Sequence, residues 1–147
     1  MEEKVEENII RCKLRLDFLG VAKPSKFFIG GKDMVEVAEE VREKEIMVWQ
    51  NIPMQGIEIE HIEQKEPYTI FEEMYNEEVA YAPVEIILTA SSCSDLLPLI
   101  LKPELRKIDI YEPDSIRFTR ASLEKLFIKT NEELHKQIHK IRRQLES

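Results

Sequence analysis

At 147 residues, with 43% hydrophobic and 34% charged residues, the chain is long enough to form one domain with a buried core, and its composition excludes a disordered protein. Its formal net charge of −8 is uneven, because residues 1–80 carry 10 Lys/Arg and 19 Asp/Glu whereas residues 81–147 carry 11 and 10. Such an acidic chain is a poor general binder of nucleic acid, which requires clustered cations.

The sequence also argues against export, membrane insertion and metal binding. Its start, MEEKVEENII, is acidic where a signal peptide is basic, and no stretch approaches about 20 uncharged apolar residues. Cys12 and Cys93 lie far apart, which fits neither a disulfide framework nor a zinc-finger spacing. We therefore expect a cytoplasmic protein with no membrane span, no metal site and no cofactor. Its richness in Glu, Lys and Ile is typical of thermophilic proteins.

The first predicted element is a strand over residues 10–18, in which apolar and polar side chains alternate. The pattern predicts one buried face and one wet, mostly basic face that could contact RNA, as could the basic stretch HKQIHKIRR (135–143) of the last helix. The first face holds Ile10, Cys12, Leu14, Leu16 and Phe18, and the second holds Arg11, Lys13, Arg15 and Asp17.

The next segment, KPSKFFIGGKD (residues 23–33), resembles a phosphate-binding loop only in part. Lys23, Lys26 and Lys32 lie near a helix start, where backbone N–H groups favour anions. However, Lys26 stands where a Walker motif requires glycine, and Asp33 stands where it requires a hydroxyl. We interpret the segment as a turn that starts a helix, with anion binding by the three lysines as the alternative.

The region from Asp33 to Asn76 predicts a helix, a hairpin and a second helix. Asp33 and Glu36 form the pattern of a capping box at the start of the first helix, over residues 33–45. IMVWQNI (46–52) and IEIEHIEQ (57–64) read as strands joined by a turn at residues 53–56. Pro67 suits the first turn of a helix that continues to Asn76.

The most apolar predicted strand, VEIILTA (84–90), belongs in the centre of the sheet. It leads through Ser91, Ser92, Cys93, Ser94 and Asp95 into a short helix at residues 96–102, which tolerates Pro98. Ligands gather at such strand-to-helix loops in sheets with parallel strands, and a helix N-terminus lowers a thiol pKa. These five residues are therefore the candidate ligand site. The competing interpretation is a helix cap with Cys93 as a space-filling residue.

The last predicted elements are a strand at residues 107–112, a short strand at 115–118 and one long helix over residues 120–147, with Ser122 as its cap. The helix carries 7 Lys/Arg and 4 Asp/Glu, and its length of about 40 Å exceeds what a small domain needs to cover. His135 and His139 share one face, but the HExxH motif is absent, so we interpret them as a solvated flank. Leu134, Ile138, Ile141 and Leu145 follow coiled-coil spacing and predict a homodimer contact.

These elements predict a single α+β domain over residues 1–147, with the helix at 120–147 belonging to it. We expect a mixed or antiparallel sheet with helices packed on one face, as in a ferredoxin-like or related sandwich. With no catalytic cluster in the sequence, we expect a non-enzymatic regulatory or assembly domain that self-associates and binds protein or small ligands. A small enzyme built around Cys93 is the alternative, and a weak nucleic-acid binder is the third reading.

Overall fold

The structure, a computed structural model, describes residues 9–22 and 33–146. In chain order these residues form β1 (Ile10–Gly20), α1 (Met34–Asn51), β2 (Ile57–Gln64), β3 (Tyr68–Glu72), β4 (Glu77–Ala90), α2 (Cys93–Ile100), β5 (Leu105–Glu112) and α3 (Arg120–Glu146). Residues 115–118, which the sequence predicted as a short strand, form no regular element.

The described strands join one antiparallel sheet in the order β2-β4-β1-β5, and β3 pairs with the first part of β4. Without β3 and α3 the elements run β-α-β-β-α-β, which is the split arrangement of ferredoxin-like domains. The predicted α+β class, with helices packed against an antiparallel sheet and a long C-terminal helix, is therefore confirmed.

The core lies where β1 and β4 pair in the centre of the sheet. The five predicted inward residues of β1 are each at most 1% exposed. In the pairing register, Cys12 lies opposite Leu88 and Leu14 opposite Ile86. From the helices, Ile46 and Trp49 of α1 join this cluster together with Leu96 and Leu99 of α2. The alternation of β1 and the central position of residues 84–90 were predicted correctly.

The predicted strand at residues 46–52 is wrong, because α1 continues without a break to Asn51. Its buried residues Ala38, Arg42, Ile46 and Trp49 recur every three or four positions, which is the helical period. Asp33 caps the helix as predicted, since its carboxylate accepts the Glu36 N–H at 2.8 Å. The predicted hairpin therefore loses one strand, and β2 pairs with β4 instead.

The predicted helix from Pro67 to Asn76 is also wrong, because these residues form β3 and a tight turn into β4. Tyr68 lies opposite Tyr81, and Glu72 opposite Glu77. Asn76 adopts a positive φ of 51° in the turn, a conformation that asparagine tolerates better than most residues. Because β2 and β3 lie along the same edge of β4, the chain from Ile57 to Ala90 is one long hairpin, interrupted near Pro67.

Arg42 connects α1 to this interruption. Its side chain is only 6% exposed, and Nη1 donates hydrogen bonds to the carbonyl oxygens of Lys65, at 2.7 Å, and Pro83, at 2.9 Å. Val41, the apolar neighbour of Arg42 in the sequence, is by contrast 38% exposed. A buried cation is favourable here because it satisfies two carbonyls at an irregular point of the sheet.

None of the described helices is both long and apolar enough to cross a lipid bilayer.

Candidate functional site

The long helix α3 begins at Arg120 and continues for 27 residues. Thr119 caps it, because its Oγ1 accepts the N–H of Ser122 at 3.1 Å. The predicted cap, Ser122, therefore lies in the first turn, and its hydroxyl bonds to that of Thr119 at 2.9 Å. A helix of this length rises about 40 Å, which leaves room for more than one contact surface.

One side of α3 is covered by the rest of the chain. Leu126 and Gln137 are partly buried and Glu133 is only 7% exposed, and these three positions follow the spacing i, i+7, i+11 of a single helix face. Among the described elements, α3 packs mainly against α2. Glu133 also receives a hydrogen bond from Lys136 Nζ at 3.3 Å. The covered side ends at Gln137, and every residue from Ile138 to Glu146 is exposed.

The apolar side of α3 is a different side. We define the apolar stripe as Leu123, Phe127, Thr130, Leu134, Ile138, Ile141 and Leu145. It lies roughly a quarter turn from the covered side at 100° per residue. The exposed fractions of its six apolar members run from 37% for Leu123 to 80% for Leu145, and Thr130, at the boundary with the covered side, is partly buried. An apolar line of this length that the parent domain leaves in solvent is the structural feature most typical of an interaction surface.

Charged side chains flank the apolar stripe without partners of their own. Glu124 and Arg142 lie 18 residues apart, which is five helical turns, so both stand on the same flank. Neither forms an ion pair with another described residue. A flanking charge with no ion pair among residues 9–22 and 33–146 is available to a partner helix.

The loop from Ser91 to Asp95 forms a helix cap. Ser92 Oγ accepts the Asp95 N–H at 3.3 Å and donates to Asp95 Oδ2 at 2.9 Å. The Ser91 N–H donates to the Gly56 carbonyl at 2.8 Å. Gly56 adopts a φ of 73°, and any side chain there would collide with the Asp95 carboxylate. The strand before the loop, β4, pairs only with antiparallel neighbours, so the ligand preference of parallel sheets does not apply.

The two cysteines occupy different environments. Cys12 is fully buried in the core, and burial raises the pKa of its thiol to about 11. Cys93 is partly buried and packs against the same core from the start of α2. A ligand-binding role for Ser91, Ser92, Cys93, Ser94 and Asp95 stays a prediction, with two of the five already bonded to each other.

The basic face of β1 is neutralised by neighbouring carboxylates. Arg11 Nε lies 3.0 Å from Glu60 Oε2, and Lys13 Nζ lies 4.0 Å from Glu85 Oε1. The hydrogen bond from Arg11 lowers the pKa of the Glu60 carboxyl. An exposed aromatic side chain, Tyr111 of β5, adds to this face, with the Arg11 guanidinium 5.4 Å from its ring centroid. The cations of this face are therefore already paired with carboxylates.

The sequence analysis missed a cluster of tyrosines at the end of this face. Asp17, predicted to be wet, is only 2% exposed and accepts hydrogen bonds from Arg15 Nε, at 2.9 Å, and from the Tyr68 hydroxyl. Burial, followed by the bond to Asp17, raises the pKa of Tyr68 to about 12. Tyr68 stacks on Tyr81 with ring centroids 5.5 Å apart. The sequence pattern predicted a helix at residues 67–76, where the structure has β3. The cluster could not be predicted from that helix, because the β3–β4 hairpin is what brings Tyr68 to Asp17.

The histidines of α3 line a surface depression of about 820 Å³. Lys136 and Arg142 line the same depression as His135 and His139, and two cations disfavour a bound metal ion. No group of three or more His, Cys, Asp or Glu residues within 9–22 and 33–146 is arranged to bind a metal.

The remaining candidate residues, Lys23, Lys26 and Lys32, lie outside the described part of the chain. The predicted turn, and the anion site as its alternative, stay predictions.

No protein-family model, no curated protein and no solved structure matches the chain, so its function has to be argued from its own surfaces.

Proposed function

We propose that this chain is a cytoplasmic, non-enzymatic assembly domain that self-associates through the apolar stripe of α3. The observation that carries the proposal is the separation of two sides on one helix. The covered side satisfies the contacts of α3 with its own domain, and the apolar stripe remains exposed beyond it. Burying such a stripe against a second copy removes apolar area from water, which is the main driving force of association.

Charge supports a second copy of the chain as the partner. Residues from Arg120 onward carry 7 Lys/Arg and 4 Asp/Glu, whereas residues 1–80 carry 10 and 19. A basic helix on an acidic protein attracts another molecule of the same kind, because the helix of one copy is complementary to the domain of the other.

Two other functions have weaker support. An enzyme built around Cys93 requires a base within hydrogen-bond reach of the thiol, and Ser92 and Asp95 of the same loop bond to each other instead. Nucleic-acid binding by β1 would require Arg11 and Lys13 to exchange carboxylate partners for phosphates.

Sedimentation equilibrium tests the proposal through one substitution on the stripe and one beside it. The wild type is expected to have about twice the 17.3 kDa mass of the chain. Ile141→Glu, which places a charge in the stripe, is expected to give the mass of a monomer. Ile128→Glu is the matched control, since Ile128 is 62% exposed and lies about a third of a turn from the stripe centre. It should leave the dimer intact.

A wild type that sediments as a monomer at every concentration would contradict the proposal. So would a dimer that Ile141→Glu leaves unchanged, provided that circular dichroism shows both variants to be folded. Deleting residues 133–147 should likewise convert the dimer to a monomer.

A further inference from the structure

We infer that the two copies pair antiparallel, α3 against α3, with a twofold axis passing beside Leu134. This inference rests on the proposed self-association and specifies its geometry. The partner is a second copy of this chain, and the interface is isologous, so each stripe meets itself in reverse.

The spacing of the apolar stripe is symmetric about Leu134. Counting outward from Leu134, apolar positions recur at four, seven and eleven residues in both directions. Antiparallel pairing therefore places Leu134 opposite Leu134, and the three remaining layers pair Ile138 with Thr130, Ile141 with Phe127 and Leu145 with Leu123. A stripe built for any unrelated partner has no need of this symmetry.

Thr130 is the one polar member of the stripe, and its hydroxyl is already satisfied. Its Oγ1 donates to the Leu126 carbonyl at 2.7 Å. The methyl group of Thr130 can therefore face Ile138 of the second copy without leaving a buried hydroxyl unbonded.

The flanking charges distinguish antiparallel from parallel pairing. Glu124 lies ten residues before Leu134 and Arg142 lies eight residues after it, both on one flank. In the antiparallel pair, Glu124 of one copy and Arg142 of the other come within about 3 Å of each other along the helix axis, at 1.5 Å per residue. The symmetry produces this pair twice. A parallel pair in register would place the two copies of Glu124 on opposite sides of the seam, and the two copies of Arg142 likewise, so neither Glu124–Arg142 pair could form.

The covered side of α3 fits the same geometry. The parent domain reaches only to Gln137, so the exposed end from Ile138 to Glu146 extends beyond it. In an antiparallel pair centred on Leu134, this end lies beside the first turns of the partner helix, because positions 138–146 of one copy face positions 122–130 of the other. The basic end of each helix, with Lys140 and Arg143, then lies near the acidic domain of the other copy.

A charge-exchange cycle tests the arrangement, with the dimer dissociation constant measured by sedimentation equilibrium. Glu124→Lys and Arg142→Glu are each expected to weaken the dimer about tenfold, because each replaces two attractive pairs with two repulsive ones. The double variant should return to within about threefold of the wild type. Glu132→Lys and Lys125→Glu make charge changes of the same size on the far side of the helix and serve as matched controls.

The outcomes separate this inference from the proposal beneath it. A monomeric wild type overturns both. A dimer that Ile141→Glu dissociates, but in which Glu124→Lys has no effect and the double variant shows no recovery, overturns only the antiparallel arrangement. Cross-linking provides a second readout, because Leu123→Cys mixed with Leu145→Cys, in a Cys93→Ser background, should form a disulfide between the two chains. Leu123→Cys alone should not form one, and a parallel dimer would reverse these two results.

Discussion

The sheet core and the end of α3 carry the same kind of apolar pattern with opposite outcomes. In β1 every second residue is apolar and the five inward side chains are at most 1% exposed. In α3 the apolar residues recur at helical spacing just as regularly, yet Leu134, Ile141 and Leu145 remain 44%, 43% and 80% exposed. The comparison shows that periodicity identifies the apolar face of an element but not the surface that covers it.

The largest expected effect contrasts one side chain from each region. Leu14→Ala removes a fully buried side chain of the core and should lower the free energy of unfolding by about 2–5 kcal/mol. Ile141→Ala should change it by about 0.5 kcal/mol or less, since the parent domain does not cover Ile141. Urea unfolding at a protein concentration below the dimer dissociation constant checks both values. Similar losses for the two variants would remove the distinction between the regions.

A smaller effect is expected at the connection between α1 and the long hairpin. Arg42→Met keeps the length of the side chain but removes the donor of the Lys65 carbonyl, whereas the Pro83 carbonyl still accepts the Lys65 N–H at 3.0 Å. It should cost about 2–3 kcal/mol of unfolding free energy, which urea denaturation measures. Lys44→Met, on an exposed position of the same helix, is the matched control and should be nearly neutral. Equal costs for the two variants would show that Arg42 contributes no more than a surface cation.

The smallest expected effect depends on pH and concerns the tyrosine cluster. The Tyr68 hydroxyl can donate to Asp17 only while it is protonated, and its pKa rises from the ordinary 10.0 to about 12 in the folded chain. The pKa of Tyr68 is higher in the folded chain than in the unfolded chain. The hydrogen bond to Asp17 therefore stabilises the fold fully below about pH 10, and this stabilisation is lost as the pH approaches 12. At neutral pH the free energy of unfolding of the wild type should be about 1 kcal/mol higher than that of Tyr68→Phe. This difference should shrink above pH 10.

Unfolding midpoints measured across this alkaline range check the sign. Tyr75→Phe is the control, because Tyr75 is 47% exposed and contributes no hydrogen bond to the cluster. A difference between wild type and Tyr68→Phe that grows with pH would contradict the assignment.

The sequence was sufficient where a segment has one dominant period and one covered face. The alternation of β1, the apolar run at residues 84–90 and the long helix from Arg120 were all predictable on that basis. It was insufficient for residues 46–52, because a short apolar run fits a strand as well as the last turns of a helix. Only the packing of Ile46 and Trp49 in the core distinguishes the two.

Functional residues were predicted less completely than the fold. The apolar face of α3 with Leu134, Ile138, Ile141 and Leu145 could be predicted from its helical spacing, and its role as a dimer contact stays a prediction. The contacts of Arg42 with Lys65 and of Tyr68 with Asp17 could not be predicted from the sequence, because each joins residues more than 20 positions apart. The burial of Asp17 depends on β3, and the pattern of residues 67–76 favoured a helix.

The quarter turn between the two sides of α3 also bears on how fast the proposed dimer would assemble. A segment exchanged between copies would first have to leave its own domain, and that step is slow because it resembles partial unfolding. In the proposed dimer the helix contacts its parent domain with one side and its partner with the other, so association requires no rearrangement of the fold. The population of pairs should therefore follow protein concentration promptly.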